Sequence, residues 1–310
     1  MNIVPIVFSF DNNLVMPACV CISSLMMNAK EDTFYDIFIL HSASECLNKA
    51  DLDRIPQYYK NCKIQYREVG NEFDGAFEIR GITTPAYYRL LIPEIIPEYD
   101  KVIYSDVDVI FRDDLYHFYD IDLSDYYFAG VDVGLFLRPD IYDYAKNVIK
   151  IDVSKGYYYS GNMVINSKKI IEDNIVVKFK QLGKNKYKFQ DLDILNIVCN
   201  GFIKRLTPEF CLTNYFYILC HTQRNKVEEL YPKNVIDNIL NRGIVHYNGA
   251  KPWNTMCYNQ DIWWGCYRKS PFYDENFVYQ YYDNCVKEYE KRTFYKRFKH
   301  LLSYLKGLIK

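Results

Sequence analysis

No apolar run in this chain approaches the roughly 18–20 residues that a membrane-spanning helix needs. Nor does any C-x-x-C pair occur among its ten cysteines, of which only Cys19 and Cys21 stand close together. That scatter argues against a zinc ribbon or a redox dithiol and reads as reduced thiols of a cytoplasmic protein. The opening Met1-Asn2-Ile3-Val4-Pro5 has no basic residues ahead of its apolar ones, so it reads as a first strand rather than a signal peptide. Neither sign of charge is in excess: 38 Lys and Arg against 39 Asp and Glu leave a net charge of −1. A nucleic-acid binder working through bulk electrostatics is therefore not expected. Internal repeats and low-complexity segments are absent as well.

What is present is a chain of 310 residues, 49% apolar, long enough for one large domain or two smaller ones. Its 31 Tyr and 19 Phe are mainly core-filling units that also carry hydroxyls. Residues 3–10 are apolar and β-rich until Asp11-Asn12-Asn13 breaks the run. A helix over 17–29, a strand over 35–41, a helix near 46–59 and a strand over 63–69 follow. That alternation predicts an α/β fold with a mostly parallel sheet. Residues 84–96 read as a helix with Pro85 in its first turn. Strands are expected at 101–105, 127–132 and 163–166, and a helix at 190–200. Ligands in such sheets sit beyond the carboxyl ends of the strands, where both Asp11 and Asp106 fall.

Asp106-Val107-Asp108 directly follows the apolar Val102-Ile103-Tyr104. Carboxylates two apart in extended chain share a side and can converge on one hard cation. The spacing alone says little, because the pairs Asp51/Asp53, Asp120/Asp122 and Asp191/Asp193 repeat it. Only the 106/108 pair leaves a strand that reads as buried. Some 140 residues further on stands His246-Tyr247-Asn248-Gly249-Ala250-Lys251-Pro252-Trp253, after Gly243-Ile244-Val245. An imidazole beside two carboxylates suits Mn²⁺ better than Mg²⁺. Gly249 permits close backbone approach to a phosphate, and Lys251 supplies a compact positive charge.

Six segments in order carry a resemblance: I-V-F-S-F-D-N-N (6–13), Y-Y-R-L (87–90), Y-S-D-V-D-V (104–109), Y-S-G-N-M-V-I-N (159–166), F-Q-D-L-D-I-L-N (189–196) and H-Y-N-G-A-K-P-W (246–253). Over roughly residues 3–255 the chain resembles glycosyltransferase family 8, the retaining sugar transferases. That family includes bacterial lipopolysaccharide galactosyl- and glucosyltransferases and, more distantly, glycogenin. The resemblance implies a GT-A fold, in which a nucleotide-binding α/β sheet merges with an acceptor-binding half. It implies transfer of a hexose, galactose or glucose, from a UDP-sugar to a saccharide or glycolipid of the cell surface, with Mn²⁺ or alternatively Mg²⁺ as cofactor. Ser9, Asp11 and Asn13 would then contact the uridine, and Arg89 and Val107 would stand in the donor region. Asp106, Asp108 and His246 would ligate the metal, and Gly249 and Lys251 would bind phosphate oxygens. Asp132 and Asp191 would orient the transferred sugar.

Three positions depart from the family pattern. Leu192 replaces the glutamine of D-Q-D, so a covalent intermediate through that side chain is excluded. Retention then needs a same-face mechanism or a carboxylate nucleophile such as Asp191. Tyr159 replaces an asparagine, whose sugar contact Asn162 could supply. Leu14 stands where an aromatic usually meets the uracil. A catalytically silent sugar-nucleotide binder and a haloacid dehalogenase-type phosphohydrolase are the alternative readings.

The domain expectation is a catalytic unit over 1–255, an acceptor-side extension over 256–290 and a tail over 291–310. The tail holds seven Lys and Arg and no acidic residue. Phe294, Phe298, Leu301, Leu302, Leu305, Leu308 and Ile309 recur in it at helical spacing. Such a helix either lies on an anionic membrane surface, at the inner face of the plasma membrane, or docks on its own domain.

Overall fold

A computed structural model describes residues 1–79 and 83–308. Its strands are β1 (Asn2–Ser9), β2 (Thr33–Ser42), β3 (Cys62–Val69), β4 (Lys101–Ser105), β5 (Val109–Phe111), β6 (Phe128–Asp132), β7 (Tyr158–Asn166), β8 (Ile203–Leu206), β9 (Leu212–Thr213) and β10 (Ile244–His246). Seven of them form one sheet in the order β3-β2-β1-β4-β7-β6-β8, and β5-β10-β9 form a second. The large sheet is parallel from β3 through β4 and again between β6 and β8. Only β7 runs against its neighbours.

The central strands are apolar without a break because helices cover both faces of a parallel sheet. Alternation still sorts their side chains. Val4, Ile6 and Phe8 of β1, with Ile37, Ile39 and Ile103, enter the core on one face. Val7, Phe38, Leu40, Val102 and Tyr104 enter the core on the other. The helix Val15–Met27 is buried almost throughout, which its run of small and aliphatic residues permits. A third core, around Trp253, Trp263, Trp264 and Tyr267, binds the small sheet to the C-terminal helices.

Two helix expectations are corrected. Over 46–59 only the short turns Leu52–Arg54 and Ile55–Tyr58 are helical. Ahead of them Asn48 folds its side chain back to accept from the Ala50 amide at 3.2 Å, while its own amide donates to Asn12 Oδ1 at 2.7 Å. Those side-chain bonds compete with helix formation. Over 84–96 a 3₁₀ helix, Thr84–Leu91, passes into one α turn, Ile92–Ile95. Pro93 has no amide hydrogen for the Arg89 carbonyl, so a continuous α-helix cannot form there.

The C-terminal end is one helix, Glu275–Leu308, running without interruption through residues 290 and 291. Its first turns pack, with Tyr281 buried against Trp264. Beyond Val286 it projects from the protein, and Phe294, Phe298 and Leu301 are about half exposed or more, at 71%, 49% and 52%. Of the two readings of the tail, docking on its own domain is thus excluded for the described residues. Ile309 and Lys310 lie outside them. No helix among the described residues is long and apolar enough to cross a membrane.

Candidate active site

The chain leaves the large sheet at Ser105 and joins the small one at Val109, so Asp106-Val107-Asp108 is the joint between two sheets. Its shape is fixed from both sides. The Asp106 amide donates to the Gly161 carbonyl of β7 at 2.8 Å, and the Tyr247 amide donates to the Asp108 carbonyl at 2.9 Å. Antiparallel pairing of β5 with β10 sets His246 opposite Val109. Strand register therefore closes the gap of 140 residues seen in the sequence. His246 Nε2 lies 3.3 Å from Asp108 Oδ1 and 3.7 Å from Asp106 Oδ2.

These three side chains are the group of potential metal ligands found among the described residues, with ligand atoms all within 4.8 Å of one another. Two carboxylates and an imidazole on one centre fit a divalent cation. Gly161 makes the room: a Cβ there would sit 2.5 Å from His246 Cε1 and 2.6 Å from Asp106 Oδ2. Lys251 Nζ contacts Asp108 Oδ2 and also donates to the Tyr247 carbonyl at 2.8 Å. Burial would raise the Asp108 carboxyl, but Lys251 and His246 outweigh it and hold it far below the usual carboxylate range. Burial disfavours the charged imidazole of His246, yet Asp108 outweighs it and shifts the ring upward.

A buried arginine ties this joint to the second acidic motif. Arg89 Nη2 donates to Asp106 Oδ1 at 2.8 Å, and Nη1 donates to the Ser160 carbonyl at 2.7 Å. Its Nε donates to the Ala86 carbonyl at 2.8 Å and lies 3.2 Å from Asp191 Oδ2. The guanidinium also covers the Tyr104 ring at 4.3 Å, and the Tyr104 hydroxyl donates to Asp106 Oδ1 at 2.8 Å. Asp191 opens the helix Gln190–Val198 and is 5% exposed. Burial pushes its carboxyl up to about 6, against the pull of Arg89. Its Oδ2, close to charge, has no aligned hydrogen-bond donor among the described residues.

These groups line one cavity of about 610 Å³. Of the residues singled out in the sequence, Ser9, Asp11, Arg89, Asp106, Val107, Asp108, Asp191, His246, Gly249 and Lys251 all face it, as do Leu14, Tyr159 and Leu192. Gly249 has φ +127° with open space where a Cβ would stand, so only glycine holds this turn without strain. Asn13 is exposed outside the lining, its amide donating to Asp11 Oδ1 at 2.9 Å. Asp132 is also outside: it pairs with Arg205 and accepts the Gly134 amide at 2.8 Å. Asn162 is fully buried behind the joint, where its Oδ1 accepts from Ser105 Oγ at 2.7 Å, so it cannot serve the sugar in place of an asparagine at position 159. Sequence reasoning missed Gly161 and Cys211, whose sulfur is 3.3 Å from His246 Nδ1. Gly161 was legible as the small residue of Ser-Gly-Asn. Nothing in the spacing of Cys211 marks it.

A model of the family described as glycosyl transferase family 8 matches residues 5–257, a span that contains every motif above. General stress protein A of Bacillus subtilis is 26% identical over 291 residues, covering 91% of this chain and 94% of that protein. A lipopolysaccharide 1,2-glucosyltransferase of Escherichia coli is 24% identical over 314 residues, covering 97% of this chain and 87% of that enzyme. The solved structure of the galactosyltransferase LgtC, in complex with donor and acceptor sugar analogues, aligns with a TM-score of 0.70 at 24% identity. It covers 88% of this chain and 99% of that one, and the shared architecture is the GT-A fold. The six motifs, the sheet joint that gathers them and a family match over most of the length agree: this chain belongs to glycosyltransferase family 8.

Proposed function

We propose that this chain is a metal-dependent, retaining glycosyltransferase that moves a hexose, galactose or glucose, from a UDP-sugar to a saccharide acceptor of a cell-surface glycan or glycolipid. The observation that carries the reading is the convergence of Asp106, Asp108 and His246 with Lys251 in one cavity that also holds Asp191. Asp106, Asp108 and His246 would hold the cation. When bound there, it supplies positive charge against the diphosphate that leaves as the anomeric C–O bond breaks. Lys251 would add a second positive charge, and at Gly249 no side chain would stand between the backbone and the phosphates. Ser9 and Asp11, which also line the cavity, would contact the uridine.

The carboxylates lining the cavity, among the described residues, are Asp11, Asp106, Asp108 and Asp191. Two belong to the metal set, and Asp11 would contact the uridine. Asp191, which lines the cavity with its Oδ2 3.2 Å from Arg89 Nε, is left for the sugar. In its charged form it also stabilises positive character at the anomeric carbon. Leu192 beside it offers neither a nucleophile nor a hydrogen bond, so retention proceeds by same-face attack or through Asp191 itself. A phosphohydrolase of the haloacid dehalogenase type is set aside by the family. The lipopolysaccharide glucosyltransferase among the relatives supports a glycolipid acceptor. We place the enzyme in the cytoplasm, at the inner face of the plasma membrane, with its basic tail on anionic lipid.

The test is release of UDP from UDP-Gal, UDP-Glc, UDP-GlcNAc and UDP-GalNAc in Mn²⁺, without acceptor. Slow hydrolysis of UDP-Gal or UDP-Glc is expected, lost on chelation. If calorimetry detects binding of none of the four donors with Mn²⁺ present, the proposal is wrong. Donor binding with no acceptor modified in a broad glycan panel would instead favour a silent binder.

A further inference from the structure

Behind the metal set, buried Ser105, Asn162 and Cys211, none of them in the cavity lining, form a row that ends on His246. Asn162 is 0% exposed, Cys211 1% and His246 6%. Ser105 Oγ lies 2.7 Å from Asn162 Oδ1, Asn162 Nδ2 donates to Cys211 Sγ at 3.6 Å, and that sulfur is 3.3 Å from His246 Nδ1. The row is built into the fold. Ser105 ends β4 and Asn162 faces it on β7. Cys211 immediately precedes β9, which pairs with β10 so that Leu212 meets Val245 and Thr213 meets His246.

We propose that Cys211, held by Asn162, is a positioning residue for His246, its sulfur accepting the Nδ1–H of the imidazole. This rests on the metal-dependent reading above. A neutral imidazole carries one N–H, and the ring nitrogen without it is the one that ligates. With the proton kept on Nδ1, the lone pair of Nε2 faces Asp106 and Asp108. The opposite arrangement, a thiol donating to Nδ1, would point an Nε2–H at the carboxylates and close the site to a cation. Asn162 donates to the sulfur from the other side and so fixes where it stands against the ring. A partner on the second nitrogen of a ligating histidine fixes both tautomer and ring plane, and its loss costs on the order of 10–100-fold in metal affinity.

The test compares full-length wild type, C211S and C211A. Mn²⁺ is titrated in the presence of UDP, and the electron paramagnetic resonance of free Mn²⁺ is followed. C211A should bind Mn²⁺ roughly 10-fold or more weakly. C211S keeps an acceptor and should stay within about threefold of wild type. Nitrogen-15 histidine spectra with diamagnetic Mg²⁺ and UDP give an independent readout, the His246 signal being identified by its loss in H246N. Wild type and C211S should carry the proton on Nδ1, whereas C211A should average between tautomers. Unchanged Mn²⁺ affinity in C211A, or a wild-type proton on Nε2, would overturn the proposal. Failure of wild type to bind Mn²⁺ would sink the metal reading and this inference with it. Equal binding by wild type and C211A would sink this inference alone. Should C211A not fold, C211V fills the thiol's volume without an acceptor, and the wild-type tautomer still decides.

Discussion

The same three-residue pattern, Asp-x-Asp, occurs twice around the cavity and does opposite things. In Asp106-Val107-Asp108 the chain has just left β4 and both carboxylates face the cavity. In Asp191-Leu192-Asp193 the chain is in the first turn of a helix. Two positions on a helix turn through roughly 200°, so those carboxylates part company. Asp191 faces the cavity beside Arg89. Asp193 turns away, accepting from the Tyr157 hydroxyl, from the Tyr144 hydroxyl at 2.7 Å and from the Phe189 amide at 2.8 Å. The third of these satisfies one of the free amides at the helix N-terminus. One pattern gives a pair of ligands; the other gives one cavity residue and one structural acceptor. Local secondary structure, not the motif, makes the difference.

The largest effect should come from breaking the first pair. Asp108→Asn replaces a carboxylate that faces both His246 and Lys251 with a neutral, weaker ligand. Mn²⁺-dependent UDP binding by calorimetry should vanish, while the circular dichroism spectrum stays that of wild type. UDP affinity equal to wild type in Mn²⁺ would remove Asp108 from the metal set.

The second pair sharpens the comparison because its two members should fail differently. Asp191→Asn should lower kcat by roughly 10²–10³-fold if the carboxylate stabilises charge in the transition state. It should also raise the melting temperature at pH 8. The folded carboxyl titrates at about 6 against an ordinary 3.8, so the folded state holds the proton more tightly. The stability this group contributes is present below its unfolded pKa and is lost as pH rises through about 6. A neutral amide avoids that loss, worth at most about 3 kcal/mol at 1.36 kcal/mol per unit. Wild-type activity should correspondingly fall on acidification through about pH 6, as Asp191 takes up its proton. Asp193→Ala strands two tyrosine hydroxyls and an amide, so it should destabilise by at least about 2 kcal/mol while kcat changes only a few-fold. If Asp193→Ala is inactive at wild-type stability and Asp191→Asn is active, the roles assigned to the two are reversed.

This contrast also marks what the sequence could carry. The β-α-β alternation and the apolar central strands are local signals, and the α/β class follows from them. Asp106 and Asp108 were legible as a pair because the strand ahead of them is apolar, and His246 because glycine and lysine accompany it. Their meeting depends on the pairing of β5 with β10, which no local pattern encodes. The reversed β7 was hidden for the same reason: its direction is set by neighbours distant in sequence. Asp132 was legible as an acid at a strand end, but Arg205 on the neighbouring strand β8 engages it. Cys211 acts through a contact made by folding alone.

A second contrast runs along the last helix. Its first turns pack Phe277 and Tyr281 against Tyr267 and Trp264, whereas Phe294, Phe298, Leu301 and Leu305 have solvent. An exposed apolar stripe on a projecting helix with six Lys and Arg from Lys291 to Leu308 matches a surface that is apolar beneath and anionic on top. Each basic residue near such a surface is worth about 1 kcal/mol, screened by salt. Deleting residues 291–310 should therefore lower co-sedimentation with phosphatidylserine-containing liposomes by more than about tenfold at low salt, and raised salt should weaken wild-type binding. Donor hydrolysis should stay within about twofold, because the described part of this segment is exposed and lies outside the cavity lining. Equal sedimentation of the full-length and shortened chains would mean that the stripe awaits a protein partner instead of lipid. Loss of hydrolysis on deletion would mean that the helix supports the cavity from a distance, and the division between its packed and projecting parts would no longer hold.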